Sequence, residues 1–147
     1  MFDTPTYYLN ESPVAHFQLH QRLADDTSFV ADWPLSRVLL MNDARYAWLV
    51  LVPRREDAVE LFDLSAPDRA TLIEECARAA QRLKAVSGAA KMNVGALGNL
   101  VPQLHVHVVA RNPGDPAWPG PVWGHSPAIP YAPAARDALI AQLLKSR

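Results

Sequence analysis

The chain has 147 residues, with 14 Lys and Arg against 15 Asp and Glu for a net charge of −1. It therefore lacks the basic field that would hold a nucleic-acid polymer or an anionic membrane surface. Half of the residues are hydrophobic and 20% are charged, the make-up of one globular domain and not of a disordered chain. The single cysteine, Cys76, leaves no intramolecular disulfide framework and no Cys-rich zinc site.

The first residues, Met1-Phe2-Asp3-Thr4-Pro5, lack the basic start and apolar core of a signal peptide. The longest clean apolar run, residues 47–52, is far too short to span a bilayer. A cytoplasmic location with no membrane partner is expected. Residues 14–32 carry a mixed pattern in which Val14, Phe17, Leu19 and Leu23 could face a core from short helical turns. Residues 37–41 and 46–52 are two apolar, partly β-branched runs flanking Asn42-Asp43-Ala44-Arg45, which reads as a hairpin turn because Asn and Asp bond their own backbone.

A long helix is predicted next. Ser65 is an N-cap, Pro67 fits the first turn and Asp68 favours the helix dipole. Leu72, Ile73, Cys76, Ala80, Leu83 and Val86 recur at helical steps until Gly88 ends the run. Short strands are predicted over 91–94 and 103–110, separated by the Gly/Asn bend Gly95-Ala-Leu-Gly98-Asn99. Seven of the 13 prolines then fall between Pro113 and Pro133, and an amphipathic helix closes the chain at 134–145. The order implies an α+β fold, an antiparallel sheet with one long helix packed on it. A single domain over 1–147 is expected, with its core at about 14–111, a Pro/Trp-rich extension at 112–133 and the C-terminal helix.

The chemistry concentrates in Gln103-Leu104-His105-Val106-His107-Val108-Val109. On a strand, Gln103, His105 and His107 share one face, and Leu104, Val106 and Val108 share the face that meets the helix. A solvated face would account for either histidine alone, whereas two beside a Gly/Asn bend point to a reaction site. His-x-His could supply two ligands to a metal such as zinc, but the local sequence offers no third, and nothing requires His16 or His20 to approach. Alternatively, one neutral imidazole attacks phosphorus and forms a phosphohistidine intermediate. Its ring needs an orienting neighbour, for which His107 and Gln103 are placed. The phosphate oxygens need donors, for which Gly95, Gly98 and Asn99 suit.

The run Gly98-Asn99-Leu-Val-Pro-Gln103-Leu-His105-Val-His107-Val-Val-Ala-Arg111 resembles the signature of the histidine triad (HIT) superfamily, and the preceding hairpin, Val-Pro-Arg-Arg and long helix follow the HIT order. The resemblance spans roughly residues 37–111. It implies a homodimer that binds a small nucleotide, and hydrolyses or transfers it at the α-phosphate with no cofactor required. By the same resemblance His105 corresponds to the nucleophile, His107 to the third histidine, Asn99 to a phosphate-binding amide and Asn93 to an upstream asparagine. The ribose-binding group falls at Asn42 or Asp43. The departure is Gln103, which stands where the first triad histidine would be and cannot take up a proton. It implies a slower rate, another substrate preference or a binding-only descendant.

Arginines suit phosphate, and Arg111 follows the strand directly, with Arg54 and Arg55 weaker candidates. Trp118 and Trp123 stand in the stiff Pro/Trp segment. It either packs across a partner subunit or is fastened to its own core; in HIT proteins the corresponding segment helps to shape the substrate pocket.

Overall fold

A computed structural model describes residues 16–145; Val14 and the first five residues lie outside them. A short helix α1 (Gln21–Asp26) leads into β1 (Thr27–Asp32), β2 (Ser36–Met41) and β3 (Trp48–Pro53). The helix α2 (Ala66–Ser87), β4 (Lys91–Gly95), β5 (Val106–Arg111) and α3 (Pro133–Lys145) follow. The five strands form one antiparallel sheet in the order β1-β2-β3-β5-β4. The fold is α+β, as the order of elements implies.

Strand β1 falls where the sequence suggested only helical turns. Its register slips between Phe29 and Ala31, so the two-residue alternation that would betray a strand is broken. Conversely, β5 begins at Val106, three residues later than predicted, and Gln103 lies outside the ladder.

Helix α2 has the caps its sequence encodes. Ser65 Oγ accepts the Asp68 N–H at 3.2 Å, and Gly88, at φ 68°, closes the helix by donating its N–H to Lys84 O. The buried stripe is Leu72, Cys76, Ala79 and Leu83. Ile73 is 65% exposed, because it stands about 100° around the helix from Leu72. Burial and the adjacent Glu75 push the Cys76 thiol up to about 11, leaving an inert small hydrophobe. The buried Glu75 carboxylate accepts the backbone N–H groups of Leu35 and Ser36 at 2.8 and 2.9 Å. It thereby pins the β1–β2 connection to the helix.

The strands bury both faces of the sheet. Val38, Leu40, Leu49, Leu51, Val106, Val108 and Ala110 meet α2 and α3. The opposite face carries Leu39, Trp48, Val50, Val52 and Val109, and is covered by Leu23, Val101, Ala117 and Val122. The Pro/Trp segment thus lies across the sheet of its own chain. It is tied down where Tyr131 N–H donates to Asn42 Oδ1 at 2.9 Å and Ala44 N–H donates to Ile129 O at 2.6 Å. Among the described residues, no helix is long and apolar enough to cross a membrane.

Candidate active site

His107 stands on β5 between Val50 of β3 and Gly95 of β4, on the sheet face away from α2. A Cβ at Gly95 would come within 3.1 Å of the Trp123 indole, so the missing side chain is what lets Trp123 lie beside His107. The two ring centroids are 5.6 Å apart. Trp48 flanks the imidazole on another side, at 5.5 Å, and His105 packs edge-on at 4.9 Å. These four rings form one wall of a cleft of about 490 Å³, bordered also by Gly98, Asn99, Asp43 and Arg45.

Hydrogen bonds define the protons on both imidazoles. His105 Nδ1 lies 2.7 Å from the Gln103 carbonyl oxygen. A carbonyl can only accept, so Nδ1 carries the proton and the lone pair is on Nε2. Trp48 Nε1 lies 3.0 Å from His107 Nδ1. An indole N–H can only donate, so His107 carries its proton on Nε2. Burial, with a smaller contribution from neighbouring His105, lowers the His107 pKa to about 4. The pair therefore offers one nucleophilic nitrogen and one neutral N–H donor.

Orientation of His105 comes from the backbone of residue 103, independently of the side chain there. The Gln103 carboxamide is engaged elsewhere, accepting the His20 N–H through Oε1 and donating from Nε2 to Gln18 O, both at 2.8 Å. It ties the segment before α1 to the end of the Gly/Asn bend, in a recess shared with Phe17 and Arg55.

Asp43 borders the cleft. Burial alone would raise its carboxyl pKa, but hydrogen bonds from the Arg45 guanidinium, the Arg45 backbone and the Ile129 N–H hold it below the usual range. Asn42 is turned to the C-terminal segment through Tyr131.

Arg111 is not brought to the cleft. It is 1% exposed, and its guanidinium reaches both Asp115 oxygens at 2.7 and 3.0 Å, Asn93 Oδ1 at 2.9 Å and Gly120 O at 2.8 Å. Asn93 is thereby engaged in the same buried network, and Trp118 stands over the guanidinium at 5.7 Å. Arg54 bonds the carbonyls of Trp33 and Leu35, and Arg55 pairs with Asp68. Among the described residues, no group of three or more His, Cys, Asp or Glu side chains is placed to hold a metal ion.

Trp48 carries no functional signal in the sequence, because its partner lies 59 residues away. Also unforeseen were Arg22, Leu23 and Asp26 of α1, which border the cleft. No local pattern could have signalled either contribution.

Residues 22–114 match the family model described as the HIT domain. Among solved structures, the chain is similar to a histidine triad protein from Sinorhizobium meliloti 1021. The two are 45% identical, with a TM-score of 0.88, over 90% of this chain and 98% of that one. A histidine triad protein from Bradyrhizobium japonicum is 47% identical, with a TM-score of 0.86, over 88% and 96% of the two chains. One from Marinobacter aquaeolei VT8 is 45% identical, with a TM-score of 0.84, over 86% and 93%. No curated protein matches the chain.

Proposed function

The chain belongs to the histidine triad (HIT) family, and on that premise we propose that it is a nucleotide hydrolase or transferase acting at the α-phosphate. The observation that carries the reading is the 2.7 Å bond from His105 Nδ1 to the Gln103 carbonyl, which reserves the Nε2 lone pair for attack on phosphorus. His107, neutral and donating through Nε2–H, bonds a phosphate oxygen as charge builds there. Asn99 and the backbone at Gly98, on the cleft's rim, hold the remaining oxygens. Asp43 serves the ribose side, and Trp123 walls the base. The reaction needs no cofactor, and the protein works as a cytoplasmic homodimer.

The substrate is drawn from dinucleoside polyphosphates, nucleotidyl phosphoramidates or related esters, and passes through a nucleotidyl-His105 adduct that water then cleaves. His105→Ala is expected to lower turnover at least about a thousandfold and to abolish an acid-labile nucleotide adduct trapped in the unaltered protein. Unchanged turnover would refute the mechanism. Nucleotide binding by calorimetry with no turnover of any substrate would identify a binding module instead.

A further inference from the structure

Displacement at the α-phosphorus leaves negative charge on the departing group, and the two imidazoles have no proton ready to neutralise it. His105 keeps its one ring proton on Nδ1, held by the Gln103 carbonyl, and attack through Nε2 sends no proton toward the leaving group. His107 could act as a general acid only after gaining a second proton at Nδ1. That nitrogen already faces the Trp48 indole N–H at 3.0 Å, so protonation would set one N–H against another. As a neutral imidazole, His107 is too weak an acid to surrender Nε2–H.

The groups packed around His107 are Trp48 on β3, Gly95 on β4, Trp123 on the C-terminal segment and His105 before β5. Among the described residues, the charged groups bordering the same cleft pair with one another, Arg22 with Asp26 at 3.7 Å and Arg45 with Asp43 at 2.8 Å. Gln103 has no titrating group, and both ends of its carboxamide are already bonded.

From this arrangement we infer that the site cleaves bonds to groups that leave as stable anions, phosphoanhydrides above all. It discriminates against phosphoramidates and alkyl phosphoesters, whose leaving nitrogen or oxygen must take up a proton. The inference rests on His105 being the nucleophile. With a phosphoanhydride the sequence balances without an acid. The Nε2–P bond forms as the bond from phosphorus to the bridging oxygen breaks. The electron pair stays on the departing phosphate, and the proton stays on His105 Nδ1. Water then adds to phosphorus, Nε2 leaves with its electron pair, and the proton lost by water passes to solvent.

The test uses the full chain and measures kcat/KM for diadenosine polyphosphate, adenosine 5′-phosphoramidate and a series of aryl esters of AMP with graded phenol acidity. The expected result is a steep dependence approaching tenfold per pKa unit of the leaving phenol. The phosphoramidate should be slower than the polyphosphate by about a hundredfold or more. A shallow series in the unaltered protein, or a phosphoramidate cleaved as fast as the polyphosphate, overturns the inference. If that turnover still depends on His105, the nucleophile reading stands. Absence of His105-dependent turnover with every substrate overturns both.

Discussion

Acidification should weaken the fold through His107 by an amount that its burial sets. In the folded chain this imidazole, 6% exposed, takes up a proton only near pH 4, against an ordinary value of 6.5. Above pH 6.5 neither the folded nor the unfolded form holds the extra proton, and the residue contributes no pH dependence. Between 6.5 and 4 the unfolded chain binds a proton that the folded chain refuses, so stability falls as pH falls, by about 1.4 kcal/mol per unit. Below about 4 both forms are protonated and the loss levels off. Integrated from pH 7 to 4.5, the loss is about 2–3 kcal/mol. Urea unfolding of the unaltered chain and of His107→Gln across this range isolates the effect, because the carboxylates titrate alike in both. The stability difference between the two should move by that amount in favour of the variant as the pH drops. Parallel curves would show that His107 titrates near its ordinary value, and would refute both the burial argument and the reading of its Nδ1 as a fixed acceptor.

Gln103→Ala removes two hydrogen bonds to the segment before α1. It should cost about 1–2 kcal/mol in urea unfolding and speed amide exchange at His20. Because His105 is oriented by the backbone carbonyl, His105-dependent turnover should survive this change. Arg111→Met strips the guanidinium from Asp115, Asn93 and Gly120 and leaves a largely buried carboxylate unpaired. A loss of about 3–5 kcal/mol is expected in chemical unfolding, partly recovered when Asp115→Asn is added.

Local rules read well wherever a single element carries its own signals. Ser65, Pro67 and Gly88 mark the ends of α2 because capping groups and positive-φ glycines act within a few residues of chain. The hairpin between β2 and β3 announced itself through Asn42 and Asp43, and the Asp43 carboxylate does bind the Arg45 backbone N–H at 3.1 Å. Strand β1 was illegible because its register slip breaks the alternation. The extended run at 103–110 overreached because apolar alternation says nothing about where ladder pairing begins.

The candidate site divides along the same line. Two histidines a strand period apart, beside a glycine-rich bend, were enough to mark a candidate reaction site, because the spacing alone puts both side chains on one face; it left metal binding and attack on phosphorus both open. Their protonation could not be read that way. It depends on an indole 59 residues away and a carbonyl whose direction the folded chain sets. The use of Arg111 likewise turned on distant partners. A strand-end arginine suggests a phosphate ligand, yet Asn93, Asp115 and Gly120 converge on it in the core. Near-neutral charge and the clustered prolines were visible from the start. That the proline segment lies across its own sheet and sets Trp123 against Gly95 followed only from long-range packing. Such contacts form between residues remote in sequence, and their geometry is fixed by how the elements fit together, which no local propensity encodes.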